Sequence, residues 1–202
     1  MKKLLFATGN QSKLNRFRQG LLENDIELLS LKDLNINIEI KENGKTAIEN
    51  ALIKARAYYK ETHMPVMGMD DTLYLEGVPE EKQPGLFVRR VGDKALTDEE
   101  MIKHYIELVK KYGTNGKLNC KWIYGLAVIN EKGEENTYTW SKGNFYMVEE
   151  PSSIINKGYP LNSISKYKDL DKYFTEITDK DKELIKVNED DVIEFITKSV
   201  NN

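Results

Sequence analysis

The chain has 202 residues, 40% of them hydrophobic and 31% charged, with a formal net charge of -3. This composition belongs to an ordinary soluble folded protein rather than a disordered one, and the near-balanced charge excludes a protein that coats nucleic acid through its overall field. One cysteine, Cys120, allows no internal disulfide; it lies in an apolar strand with no paired base and reads as core. His63 and His104 have no second His or Cys at ligand spacing, which argues against zinc. Lys2-Lys3 precede an apolar run too short for a signal peptide, and no apolar stretch is long enough to span a bilayer. A cytoplasmic protein with no membrane partner is the expectation.

Residues 3–7 read as a buried strand and 11–23 as a helix with Leu14, Phe17, Leu21 and Leu22 on one face. Between them runs Thr8-Gly9-Asn10-Gln11-Ser12-Lys13. A strand, a tight Gly turn and a helix start make a phosphate site: helix-start N–H groups favour an anion, Gly9 lets the backbone approach closely, and Lys13 adds a mobile positive charge. On propensity alone the same turn is a plain strand-to-helix connection with Asn10 near the cap. Residues 26–29 form a short predicted strand. Leu34, Ile36, Ile38 and Ile40 alternate with polar residues and predict another, ended by the turn residues Glu42-Asn43-Gly44.

Thr46 is the predicted N-cap of a helix reaching about Lys60, with Glu49 placed as in a capping box and Ile48, Leu52, Ala55 and Tyr59 inward. Residues 65–69 are the next strand, expected to deliver Asp70-Asp71 at its C-terminal end, where ligands collect in α/β sheets. Residues 73–92, with Gly77, Pro79, Pro84 and Gly85, read as an irregular excursion containing a short strand. Thr97 caps a predicted helix over 98–112 with Met101, Tyr105, Leu108 and Val109 inward. Residues 119–130 and 136–148 read as a long hairpin in a mixed sheet, with Trp122 and Trp140 as core residues. Residues 150–167 read mostly as loop, 179–184 as a short helix, and 190–200 as a last helix burying Val192, Ile193, Phe195 and Ile196.

Glu42, Glu49, Asp70 and Asp71 form an acidic set that could hold a divalent cation. Beside a phosphate cradle, such a set points to phosphate-ester or phosphoanhydride chemistry. Asp71 is the candidate to ligate Mg²⁺ and accept a proton from water, and Thr72 the candidate to hydrogen-bond a phosphate oxygen. Adjacent carboxylates repel, so a pair at a strand end calls for a cation or a base role; the plainer alternative is a pair capping the next turn in solvent. Glu42 taken alone is a surface glutamate, and Glu49 doubles as a capping acid in the first helical turn. Lys54 is a solvated lysine unless it faces the acidic set.

The ordered set Thr8-Gly9-Asn10-x-x-Lys13-Leu14, Glu42-Asn43-Gly44, Glu49-Asn50-Ala51-Leu52-Ile53-Lys54-Ala55, Asp70-Asp71-Thr72 and Pro84-Gly85-Leu86-Phe87-x-x-Arg90 resembles the inosine/xanthosine triphosphate pyrophosphatase family. The match covers the first half of the chain and continues more weakly to the end. The resemblance implies a mixed α/β fold with a long central sheet and flanking helices. It also implies one domain over residues 1–202, with two lobes around a nucleotide cleft, and a homodimer. The implied reaction is Mg²⁺-dependent hydrolysis of a nucleoside triphosphate to the monophosphate and pyrophosphate, with no nucleic acid polymer as partner. By matching position, Thr8, Gly9, Asn10 and Lys13 would cradle the polyphosphate. Glu42 and Asp71 would hold the metal, with Asp71 as general base; Lys54 and Thr72 would touch phosphate; Glu49 and Asp70 would support the acidic set.

The second half departs from that pattern. Where the family stacks the base with Phe-Gly-Tyr-Asp-Pro, this chain has Lys157-Gly158-Tyr159-Pro160-Leu161, leaving Tyr159 as the candidate ring. Where the family has Glu-Lys-Asn and then Ser-His-Arg to read the purine 6-keto group, this chain runs from Asp181 to Asn188. Lys182 stays as a candidate contact, Val187-Asn188 replace His-Arg, and Asn188 or Lys186 is the candidate replacement donor. The family's Gly after Asp-Asp-Thr is Leu73. Losing hydrogen-bond donors removes the discrimination they gave. The expectation is therefore a pyrophosphatase with altered base specificity, the alternative being a nucleotide-binding sensor or partner module that has lost turnover.

Overall fold

The computed structural model describes residues 1–185 and 189–202. In chain order the regular elements are β1 (Lys2–Phe6), α1 (Gln11–Leu22), β2 (Ile26–Leu29), α2 (Ala47–Thr62), β3 (Val66–Leu75), β4 (Arg90–Val91), β5 (Lys94–Ala95) and α3 (Asp98–Tyr112). There follow β6 (Lys117–Ile129), β7 (Glu135–Val148), β8 (Ser165–Tyr167), α4 (Asp179–Leu184) and α5 (Asp190–Asn201). Six strands form one sheet in the order β2-β1-β3-β6-β7-β8, and β4 pairs with β5. β1 is parallel to β2 and β3 while β7 is antiparallel to β8, so the sheet is mixed and the α/β expectation stands. Among the described residues no helix is long and apolar enough to cross a membrane.

The chain divides into two compact units, one of Met1–Asp71, Tyr124–Trp140 and Asn188–Asn202, the other of Thr72–Ile123 and Ser141–Val187. In the first unit, strand alternation sends successive side chains to opposite faces. Leu4, Phe6, Met67 and Met69 pack with Phe17 and Leu21 of α1 and with Ile196 and Val200 of α5. Leu5, Ala7 and Val66 pack with Ala51, Ala55 and Tyr58 of α2. α2 lies unusually close to the strands: a Cβ on Gly68 would come within 2.1 Å of the Ala51 carbonyl oxygen, and one on Gly125 within 2.4 Å of the Ile48 nitrogen.

Four expectations are corrected in this unit. Residues 34–40 are not a strand; Leu34, Ile36, Ile38 and Ile40 lie partly buried against the α2 cluster, so their alternation reflects one-sided packing of chain outside the sheet. β3 does not end at Met69 but runs to Leu75, which puts Asp70 and Asp71 in mid-strand on opposite faces. Of the residues expected inward on α2, Ala55 is buried and Leu52 and Tyr59 pack half-buried against the same cluster, while the fully buried set is Ala47, Asn50, Ala51, Ala55 and Tyr58, mostly small side chains that allow the close approach. On α1 the expected Leu14, Phe17 and Leu21 are buried, while Leu22 is exposed.

In the second unit Leu73 and Leu75 pack with Met101, Tyr105 and Val109 of α3 and with Leu118, Cys120 and Phe145. α3 starts at a complete capping box, with Thr97 accepting from Glu100 N–H and Glu100 accepting from Thr97 N–H. Cys120 is buried, and burial pushes its thiol up to about 12, as a core cysteine requires. Residues 150–167 contain more order than a loop: a short 3₁₀ turn over Pro160–Ser163 precedes β8.

α4 is short and depends on its cap. Asp181 accepts from the Lys172 ammonium at 2.8 Å, from Thr178 N–H at 2.9 Å and from the Thr178 hydroxyl at 2.7 Å. The lysine bond first, and the Thr178 bonds after it, hold the Asp181 carboxyl at about 2, below the ordinary 3.8. A folded-state value depressed in this way gives stability that is complete above 3.8 and is lost as pH falls through about 2. Asp181→Asn is expected to melt below the wild type from pH 5 upward, with the gap closing below about pH 2; thermal melts across that range check it.

Candidate active site

β1 leads into α1 through Thr8, Gly9 and Asn10. Asn10 is the N-cap: its Oδ1 accepts from Ser12 N–H at 2.9 Å and Lys13 N–H at 3.2 Å, and its own N–H donates to the Thr8 hydroxyl at 3.1 Å. The cap thus takes two of the helix-start donors that the sequence reading left for an anion, while the positive end of the helix dipole and the Lys13 ammonium remain on this turn. A Cβ added at Gly9 would meet nothing within 4 Å, so the turn is open to an approaching group.

Asp70 and Asp71 sit side by side in β3 and face different helices. Asp71 follows Met67 and Met69 toward α1 and pairs with Lys13. Asp70 follows Val66 and Gly68 toward α2, where its Oδ2 accepts from Asn50 Nδ2 at 2.9 Å and its Oδ1 lies 3.6 Å from the Lys54 ammonium. Lys54 also donates to Glu42 Oε2 at 2.9 Å. Asn50 Oδ1 accepts from Gly44 N–H at 2.8 Å, which ties the turn after Glu42 to the same network. The expected repulsion between adjacent carboxylates is therefore relieved by strand geometry and by two lysines. Lys54, far from being solvated, has a side chain only 12% exposed.

Glu49 is not drawn into this network. Its carboxylate accepts from Lys45 N–H at 2.6 Å while Thr46 accepts from Glu49 N–H at 3.3 Å, so it serves the start of α2. Asn50 is the residue the sequence reading missed. Its only sequence signal is a polar side chain on the buried face of a helix, where an amide must find partners.

Behind Lys13 on α1 lies Arg16. Its Nε donates to Glu189 at 2.9 Å, and its guanidinium sits 4.7 Å from the Tyr124 ring centre and 5.6 Å from that of Trp140. Tyr124 and Trp140 stack at 4.9 Å, so Trp140 is packing, as expected. Burial pushes the Tyr124 hydroxyl up to about 12, with Asp71 and Glu189 adding to the rise and Arg16 opposing it. The phenol therefore stays protonated at neutral pH.

Thr72, Tyr159 and Lys182 lie in the second unit. The Thr72 hydroxyl donates to the Ile123 carbonyl at 3.4 Å. Tyr159 is 38% exposed and follows Gly158, whose N–H donates to Asp98 at 2.8 Å and whose carbonyl accepts from Arg89 at 3.2 Å. Lys182 pairs with Asp179 at 2.8 Å on α4. Lys186, Val187 and Asn188 lie outside the described residues.

Among the described residues no three His, Cys, Asp or Glu side chains are grouped so as to hold a metal by themselves. Glu42 and Asp70 nevertheless converge on one cationic atom, the Lys54 nitrogen. Mg²⁺ is commonly bound through one or two carboxylates, with substrate phosphates and water completing its shell. An oxygen pair already meeting on a cation fits that requirement.

The sequence profile of the Ham1 family matches residues 4–190. The chain belongs to the Ham1 family. It is 30% identical to the dITP/XTP pyrophosphatase of Bacillus licheniformis over 191 residues, covering 92% of this chain and 91% of that protein. It is 28% identical to the Bacillus subtilis dITP/XTP pyrophosphatase over 188 residues, covering 92% and 90%. The fold is that of the Ham1 protein of Staphylococcus aureus, with a TM-score of 0.74 at 19% identity over 98% of this chain and 99% of that one. The network of Glu42, Asn50, Lys54 and Asp70, with Lys13 and Asp71 beside it, is thus carried on a Ham1 fold.

Proposed function

We propose that this chain is a Mg²⁺-dependent nucleoside triphosphate pyrophosphatase for non-standard purine nucleotides, with a base preference of its own. The observation that carries this reading is the pairing of Lys13, in the first turn of α1, with Asp71, and of Lys54, within α2, with Glu42 and Asp70. The substrate class is supported by the relatives' names, dITP/XTP pyrophosphatase.

In this reading Lys13 and the Thr8-Gly9-Asn10 turn bind the polyphosphate, which the open space over Gly9 admits. Glu42, Asp70 and Asp71 would hold Mg²⁺, and Glu49 supports them by fixing the start of α2. Bound Mg²⁺ supplies charge neutralisation on the phosphates. Asp71 orients the attacking water and takes its proton. Asn50 holds the Asp70 carboxylate in one orientation, and Lys54 contacts phosphate. Thr72 and Lys182 keep their proposed roles as nucleotide contacts on the strength of the family resemblance, and Tyr159 and Asn188 stand in for the base-reading residues the chain lacks; the resemblance also supports a cytoplasmic homodimer. The altered base preference is supported by Val187-Asn188 standing where the family has His-Arg.

The test is pyrophosphate release with Mg²⁺ across common and non-standard ribo- and deoxyribonucleoside triphosphates. Release from at least one non-standard purine nucleotide about tenfold or more above that from ATP is expected. Tight nucleotide binding with no pyrophosphate from any of them would favour the sensor module instead.

A further inference from the structure

Lysine ammoniums seldom lie this far from solvent without a partner that needs them. The Lys54 side chain is 12% exposed and that of Lys13 21%. Between them these two serve all three carboxylates to which a metal role is given above: Lys54 holds Glu42 at 2.9 Å and reaches Asp70 at 3.6 Å, and Lys13 holds Asp71. A divalent cation on the Glu42–Asp70 pair would stand within a few ångströms of the Lys54 ammonium, one on Asp71 close to that of Lys13, and in either case it would repel the lysine. A polyphosphate offers the lysines a new partner of greater charge than the carboxylates they leave.

Resting on the metal role proposed above, we infer that Lys54 and Lys13 are exchangeable internal cations, holding the carboxylates and passing to phosphate oxygens when metal and polyphosphate bind together. Metal alone must displace an ammonium that has nowhere to go. Polyphosphate alone must draw each lysine off its carboxylates and leave them unneutralised. Bound together, each supplies what the other displaces, which is positive coupling between two ligands.

The test uses Mn²⁺ as the probe, titrated into the full chain by electron paramagnetic resonance, first alone and then with inorganic tripolyphosphate. Lys54→Met is expected to bind Mn²⁺ alone about tenfold more tightly than wild type, because two carboxylates lose their internal cation. The tightening that tripolyphosphate gives the wild type is expected to shrink in the variant. Lys54→Gln, with an uncharged polar side chain, is expected to change in the same direction, and melts by circular dichroism establish that both variants are folded. Mn²⁺ affinity equal to or weaker than wild type in both variants overturns the exchange. If the wild type still releases pyrophosphate in that case, the exchange alone falls. If the wild type neither binds Mn²⁺ with tripolyphosphate nor releases pyrophosphate, the proposed function falls with it.

Discussion

Asn in place of Asp71 is expected to slow pyrophosphate release by about a thousandfold, within the usual range for removal of a general base. The amide keeps the shape of the carboxylate and one oxygen for the Lys13 bond, so the loss falls on proton transfer and on metal charge rather than on packing. Asp71 lies between Met69 and Leu73 on one face of β3 but belongs to neither of their apolar clusters, and its side chain is 26% exposed. The melting temperature is therefore expected to move by only a few degrees, the range of about 1 kcal/mol or less. Steady-state kinetics beside a thermal melt separate the two effects. A variant within a few-fold of wild-type turnover would remove Asp71 from the chemistry.

Gly68→Ala is expected to destabilise the first unit by about 3 kcal/mol. The added Cβ would stand 2.1 Å from the Ala51 carbonyl oxygen and 3.0 Å from the Ala55 nitrogen, and both are helix backbone that no rotamer change can clear. Retreat of α2 would open the contact at Gly125, the second glycine on which this helix rests, against Ala47 and Ile48. Because α2 also carries Asn50 and Lys54, activity is expected to fall with stability. Denaturant unfolding and turnover on one preparation check both. A loss under about 1 kcal/mol would mean that α2 backs away freely.

Where local chemistry decides structure, the sequence was legible. Thr97 caps α3 and α4 spans Asp179–Leu184 as expected, because helix starts are read from a few neighbouring positions. The capping box expected at Thr46 is only half made: Thr46 accepts from Glu49 N–H, but the Glu49 carboxylate takes Lys45 N–H instead. The strand, Gly turn and helix around Thr8 to Lys13 were equally clear. The failures came from partners remote in sequence. Ile36, Ile38 and Ile40 show strand periodicity, yet alternation reports which side is buried and says nothing of whether a neighbouring strand is present. The fully buried side of α2 centres on Ala47, Asn50, Ala51 and Tyr58 beside the expected Ala55, because Gly68 and Gly125, outside the helix, decide how closely it sits. Asp70-Asp71 was read as a repelling pair at a strand end; once β3 continues to Leu75, alternation parts the two carboxylates and hands each to a different helix. Asn50 shows only as a polar residue on a buried helix face, and the bond from Arg16 to Glu189 across 173 positions carries no local signal at all.

The most direct test is the identity of the products. With Mg²⁺ and dITP or XTP, ³¹P nuclear magnetic resonance of the reaction should show the nucleoside monophosphate and pyrophosphate appearing together in equal amounts for a base this chain accepts. Nucleoside diphosphate and orthophosphate instead would place the cleavage at the wrong phosphoanhydride and contradict the pyrophosphatase account.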